Sequence, residues 1–147
     1  VFIRDVDQSD PEIQDQMEKF VDDMVEAGAI AEPPVYFWLR DFKAFVEADL
    51  SLSNLSFEEQ IVAFFSDPGR DDLYGEHVVW DDNKTSPDYG KVIDSRCVAY
   101  VDVDLKDSKD GTQMLEKMRQ VSMRQPINEG RDEWAFLTYA DDYHLLE

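Results

Sequence analysis

The chain contains a single cysteine, Cys97, among its 147 residues, so it cannot form an internal disulfide. This argues against the small secreted domains that depend on several cross-links in place of a large core. No apolar run approaches the ~20 residues that a membrane-spanning helix needs. The N-terminus also lacks the basic region followed by an apolar stretch that marks a signal peptide. We expect the chain as given to be soluble.

Catalytic signatures are missing too. The sequence has no GxSxG, HExxH, CxxC, Walker or GxGxxG motif. The two histidines, His77 and His144, lie far apart at predicted strand ends, where a partly exposed structural role is more common than that of a general base. Cys97 falls on an apolar strand face, which predicts a buried thiol. We therefore predict no catalytic residue, no cofactor and no enzyme; catalytic groups scattered over loops are the least supported interpretation.

Basic residues are few. The 14 lysines and arginines are outnumbered by 34 aspartates and glutamates, which gives a formal net charge of −20 at pH 7. A charge of this sign repels phosphate backbones and anionic lipid surfaces, so we expect no nucleic-acid partner. The acidic run at 102–110 does not fit an EF-hand, because Lys106 and Ser108 fall where the first and third ligands belong. We predict no metal site and assign most aspartates to helix caps and solvated faces.

Apolar residues are sufficient for one core: 43% of the chain is hydrophobic and 12% aromatic. Residues 1–6 predict a first strand. Asp10 is a candidate N-cap with Pro11 at the first helical position, and this helix ends at Gly28. A second helix follows Pro33-Pro34. We expect a single domain spanning 1–147.

The remaining elements follow from changes of hydrophobic period. Ser56 and Glu59 form a capping box that opens a third helix, which Asp67-Pro68-Gly69 breaks. Residues 77–80 predict a short strand. The strongest strand signal places on one apolar face Ile93, Ser95, Cys97, Ala99, Val101, Val103 and Leu105. A helix at about 109–123 and a strand at 134–140 complete the chain.

This order, one strand, three helices, two strands, one helix and one strand, predicts an α+β fold. With the three helices counted as one elaborated first crossover, it matches the ferredoxin-like split βαβ sandwich. In that architecture helices pack on one face of a four-stranded antiparallel sheet.

Aromatic residues are concentrated in the second and third helices, including Tyr36, Phe37, Trp38, Phe42, Phe45, Phe57, Phe64 and Phe65. Packing beneath the sheet is the simpler interpretation of this cluster. The alternative is an apolar groove or an interface with a partner domain.

Two sequons, Asn54-Leu55-Ser56 and Asn83-Lys84-Thr85, lie in polar stretches and make Asn54 and Asn83 glycosylation candidates. Chance occurrence is an equal alternative for so short a motif. Both ends of the chain look cut, because the first residues begin a strand and the last become apolar. This pattern suits a domain excised from a larger protein.

Four motifs in order resemble the extracytoplasmic domains of the Patched and Niemann-Pick type C family, within the resistance-nodulation-division transporter superfamily. They are Trp38-Leu39-Arg40-Asp41-Phe42, the helix from Phe57 with its Phe-Phe-x-Asp-Pro break, Ile93-x-Ser95-Arg96, and Phe136-x-x-Tyr139-x-x-x-Tyr143 with Glu147. The likeness covers roughly the whole chain, with the first 30 residues matching only in element order, and points to the second large loop. The chain lacks the many loop cysteines of the Niemann-Pick members, which favours the Patched-related branch.

The resemblance implies a porter domain on the extracellular or luminal side of a plasma membrane or endomembrane. It implies a sister extracytoplasmic domain as partner, attachment through flanking membrane helices absent from this chain, and a hydrophobic ligand such as a sterol or other lipid, or a protein ligand. Residues placed at the ligand or domain interface are Trp38, Phe42, Phe45, Arg96, Tyr139 and Tyr143. Arg96 is expected to pair with a carboxylate.

An alternative of a different class is an independent acidic ferredoxin-like module. Such a module would self-associate through its sheet or bind a cationic partner. It predicts a reading frame that closes near residue 147 and formation of dimers, whereas the transporter interpretation predicts flanking apolar stretches.

Overall fold

The structure, a computed structural model, describes residues 1–31, 34, 36–101 and 108–138. Within these ranges the fold is α+β, with five α-helices and one four-stranded antiparallel sheet. The strands are β1 (Phe2–Ile3), β2 (Val78–Trp80), β3 (Val92–Arg96) and β4 (Phe136–Leu137). The helices are α1 (Pro11–Glu26), α2 (Trp38–Ala48), α3 (Phe57–Phe65), α4 (Pro68–Tyr74) and α5 (Ser108–Met123), followed by a 3-10 turn at Pro126–Asn128.

The strands lie in the order β2-β3-β1-β4, and each neighbouring pair is antiparallel. The register aligns one residue from each strand in a row across the sheet: Val78, Ser95, Ile3 and Phe136. All four are buried, and they lie against the helices in one continuous core. One face of the sheet is therefore covered, and we call the other the open face.

The helix α1 begins as the sequence predicts. The Asp10 side chain accepts a hydrogen bond from the backbone N–H of Glu12, and Pro11 occupies the first turn, where its missing N–H costs nothing. Gly28 follows the helix at φ 73°, a left-handed conformation that glycine adopts without a Cβ penalty. Phe20 of α1 stacks on Phe136 with ring centroids 5.4 Å apart, which joins this helix to β4.

The predicted capping box is confirmed, but the predicted break after α3 is only partly right. Ser56 accepts from the backbone N–H of Glu59 at 3.2 Å, and α3 runs to Phe65. Asp67 then caps a further helix, α4, by accepting from the N–H of Gly69 at 2.8 Å, with Pro68 in its first turn. Among the described residues, four helices thus precede β2 where three were expected, because an Asp-Pro pair both ends one helix and begins the next.

The long strand predicted from 93 to 105 is also revised. β3 covers only Val92–Arg96, while 102–107 lie outside the described residues. Val79 pairs with Asp94 and Trp80 with Val92, so Ile93 is the extra residue of a bulge. Ile93 is therefore exposed and Val92 buried, whereas Ser95 and Cys97 are buried as predicted.

Both terminal strands are shorter than predicted. β1 ends at Ile3 because Asp5 takes a positive φ of 55°, which turns the chain out of the sheet. β4 is observed as Phe136–Leu137, and the rest of its predicted range from 139 onward lies outside the described residues. The predicted helix at 109–123 is confirmed as α5.

Candidate binding surface on the open face of the sheet

The side chains that alternate with the buried row lie on the open face. Phe2 pairs with Arg96 on one side and with Leu137 on the other. The backbone N–H of Arg96 donates to the carbonyl of His77 at 2.8 Å, which brings His77 beside Arg96. A row of Leu137, Phe2 and Arg96 thus crosses β4, β1 and β3 and ends at His77, directly before β2.

This row lies in a shallow depression of about 310 Å³. Its apolar surface comes from Phe2, Val79 and Leu137, and Val79 is 54% exposed. Charged side chains at the depression are Arg4, Arg96, Glu76 and Asp94. The open face therefore combines exposed apolar area with two positive and two negative groups.

Both arginines are held through their Nε atoms. Arg96 Nε donates to His77 Nδ1 at 2.9 Å, and Arg4 Nε donates to the carbonyl of Trp134 at 3.1 Å. Neither guanidinium forms an ion pair with a carboxylate of the described residues, so the pairing expected for Arg96 is not found within them. Four other cations do form such pairs: Lys19 with Asp23, Arg40 with Asp22, Lys43 with Glu18 and Arg70 with Asp67.

His77 is fixed from two sides. Its ring stacks on Tyr36 with centroids 5.1 Å apart and planes inclined by 23°, and Tyr36 is itself joined to Val98 by a pair of backbone hydrogen bonds. Burial, and next the nearby Arg96 charge, lower the pKa of His77 below its ordinary value. Because Arg96 Nε can only donate, His77 Nδ1 accepts in this contact and the ring hydrogen resides on Nε2, which is the uncharged form that a lowered pKa favours.

The predicted aromatic interface residues lie elsewhere. Trp38 is 1% exposed and Phe42 is 3% exposed, with ring centroids 5.6 Å apart in the core. Phe45 is partly buried beneath the guanidinium of Arg70, whose Cζ lies 4.2 Å from the ring centroid. The core interpretation of this cluster is thus supported for Trp38 and Phe42. The interface role of all three residues stays a prediction.

Other predicted residues are placed as follows. Tyr139, Tyr143, His144 and Glu147 lie outside the described residues. Asn54 and Asn83 are exposed, and the side-chain oxygen of Asn83 accepts from both the N–H and the hydroxyl of Thr85. Cys97 is buried, which raises the pKa of its thiol to about 11.

Within the described ranges, no three His, Cys, Asp or Glu side chains come together in a way that could hold a metal ion. Of the helices in those ranges, none combines the length and the apolar character of a bilayer span.

The sequence motifs point to Arg96 but not to the residues that surround it. Arg4, Val79 and Leu137 carry no motif. Their alternation with the buried Ile3, Val78 and Phe136 is the signal that could have placed them on the opposite face.

No family model, curated protein or solved structure matches this chain. No function is therefore transferred from a relative.

Proposed function

We propose that this chain is an extracytoplasmic porter-like domain of a Patched-like membrane transporter or receptor. Its role would be to contribute to the passage or recognition of a hydrophobic ligand, such as a sterol or another lipid. The observation that carries the proposal is the strand order β2-β3-β1-β4 with helical connections between β1 and β2 and between β3 and β4. That order is the one required by the ferredoxin-like split βαβ fold, which the resemblance implies.

The open face supplies the binding surface that this proposal requires. Its exposed apolar side chains offer area to a hydrophobic ligand or to the sister domain, while the opposite face is used by the core. The proposed role is binding, not bond chemistry, and it needs no cofactor. Membrane attachment would come from flanking helices, with the domain on the extracellular or luminal side.

The test is to determine the gene sequence beyond both ends of the chain. Stretches of ~20 apolar residues directly before Val1 and after Glu147 are expected. A reading frame that closes at Glu147, with no such stretch on either side, would remove the transporter proposal. If the stretches are present, a fluorescent sterol is then titrated against the whole protein in detergent, and saturable binding is expected.

A second candidate is an independent acidic ferredoxin-like module that self-associates or binds a partner. The observation that favours it is the exposure of Val79 and Ile93 on neighbouring strands, 54% and 49% respectively. Exposed apolar residues side by side on a sheet are typical of an interaction surface. Sedimentation equilibrium of the chain 1–147 would support this candidate if a dimer forms and if Val79→Asp abolishes it.

A further inference from the structure

We propose that the depression on the open face binds an amphipathic carboxylate, with its carboxylate at Arg96 and its hydrocarbon chain over Phe2 and Leu137. The inference rests on the proposed function only in that both assign a lipid-like ligand to this domain. It names the ligand class and the residue that recognises the polar end.

Arg96 supplies the positive charge that would bind a carboxylate. The protein carries 34 acidic groups and 14 basic ones, yet Arg96 is held by a neutral imidazole instead of a carboxylate. Its positive charge is therefore not cancelled by an ion pair within the described residues. Two terminal nitrogens of a guanidinium match the two oxygens of a carboxylate in a bidentate hydrogen-bonded pair.

The Arg96 side chain is already held in position by His77 before a ligand binds. The His77 ring is stacked on Tyr36, and its Nδ1 fixes Arg96 Nε at 2.9 Å. A side chain held in this way loses less rotamer freedom when the ligand binds. The stacked ring thus serves as a positioning residue for Arg96.

The size and the apolar lining of the depression suit a small hydrocarbon chain. Its volume of about 310 Å³ is at the small end of the range for small-molecule sites. Phe2 and Leu137 continue from Arg96 along one row, so a hydrocarbon chain that starts at the guanidinium would run across β1 towards β4. Arg4, directly after β1, adds a second positive charge to the depression.

A second copy of this chain fits the same surface less well. Each copy carries a charge of −20, so two copies repel one another. The four strands of the sheet contain two to five residues each, which offers much less area than the ~800 Å² per partner of a standard interface. A small amphipathic anion needs no large area, and its single negative charge is repelled far less than the −20 of a second copy.

Glu76 and Asp94 at the same depression work against an anion and so limit its affinity. They also provide a test, because removal of a competing negative charge should improve binding. Asp94→Asn is therefore expected to bind the anion two- to fivefold more tightly.

The experiment is isothermal titration of the chain 1–147 with dodecanoate below its micelle concentration, at pH 8 and low salt. Dodecanol and dodecyltrimethylammonium serve as neutral and cationic probes of the same chain length. Dodecanoate is expected to bind with one site per chain, at least tenfold more tightly than either. Arg96→Gln should weaken its binding at least tenfold, whereas the exposed helix variant Arg119→Gln should change it less than twofold.

A second pair of variants keeps the test decisive if Arg96→Gln fails to fold. Val79 is 54% exposed at the depression and fills no core position, so Val79→Asp should fold, at a small cost from the Asp94 carboxylate opposite it. The negative charge that it adds should weaken dodecanoate at least tenfold. Leu50, which is 83% exposed on the loop after α2, gives the matched control Leu50→Asp, with no effect on binding. Near-ultraviolet circular dichroism checks the fold of every variant.

The proposal is overturned if dodecanol binds as tightly as dodecanoate, or if folded Arg96→Gln and Val79→Asp bind dodecanoate as the parent does. Dimer formation that blocks the titration would overturn it in favour of the second copy. These outcomes differ from failure of the transporter proposal, which depends on the flanking gene sequence.

Discussion

The two faces of the sheet are made from the same short strands but differ in burial and in charge. On the covered face, the row Val78, Ser95, Ile3 and Phe136 is at most 5% exposed and packs against the helices. On the open face, the alternating residues leave apolar area and two arginines in contact with solvent. A shift of one residue in any strand would exchange the two sets. The covered face therefore stabilises the fold, and the open face is available for recognition.

The largest expected effect tests the covered face. Phe136→Ala removes a fully buried ring that stacks on Phe20 and should lower the free energy of unfolding by ~3–5 kcal/mol. Its neighbour Leu137 lies on the open face, so Leu137→Ala should cost less than ~1 kcal/mol. Urea denaturation followed by tryptophan fluorescence measures both. Equal losses for the two variants would contradict the division between the faces.

A smaller effect is expected from the polar member of the covered row. Ser95 Oγ donates to Gln8 Oε1 at 2.6 Å, and both side chains are buried. Ser95→Ala would leave the Gln8 oxygen without this donor, at a cost of ~1–3 kcal/mol. Asp94→Asn, next in the strand but exposed, is the matched control and should change stability by less than ~0.5 kcal/mol. Urea denaturation measures the free energy of unfolding of both variants. Equal losses for Asp94→Asn and Ser95→Ala would contradict a stabilising role for the buried Ser95–Gln8 hydrogen bond.

The acid response of the open face should be smaller still. The folded pKa of His77 is lowered by burial and by Arg96, so the unfolded chain binds this proton more readily. The His77 contribution to stability is therefore fully present above the unfolded value of ~6.5 and is lost as pH falls through the lower folded value. His77→Gln should show a flatter stability profile than the parent between pH 7 and 5. Thermal unfolding at half-unit pH steps measures the difference, and parallel profiles would disprove it.

The smallest effect is expected from exposed apolar positions. Val79→Thr keeps a β-branched side chain and should change the free energy of unfolding by less than ~0.5 kcal/mol. A loss above ~1.5 kcal/mol would mean that this surface is covered by the rest of the fold. Hydrogen exchange of the β2 amides in the variant provides an independent check.

Local chemistry explains what could be predicted from the sequence. The start of α1 at Asp10 and Pro11 and the capping box of α3 depend on residues two or three positions apart, so both were found. The Asp67-Pro68 pair has the same character as Asp10-Pro11, yet the sequence predicts only a break there. The helix that it opens is seven residues long, too short to show a hydrophobic period.

Long-range geometry explains what could not be predicted. The bulge at Ile93 depends on how the loop between β2 and β3 packs. Gly90 in that loop has φ 91°, and a Cβ there would lie 2.4 Å from the carbonyl oxygen of Glu58. The contact between Arg96 and His77, 19 residues apart in sequence, follows from the same hairpin register. Sequence could identify the arginine but not its partner.

The bulge in the β2-β3 pairing has a consequence for the behaviour of the chain at high concentration. β2 is an edge strand of three residues, and its pairing with β3 is irregular at the step from Val79 to Trp80. A short and irregular edge is a poor template for the backbone of another molecule, because few of its N–H and C=O groups align in a regular ladder. The irregularity that exposes Ile93 on the surface therefore also discourages edge-to-edge growth into fibrils.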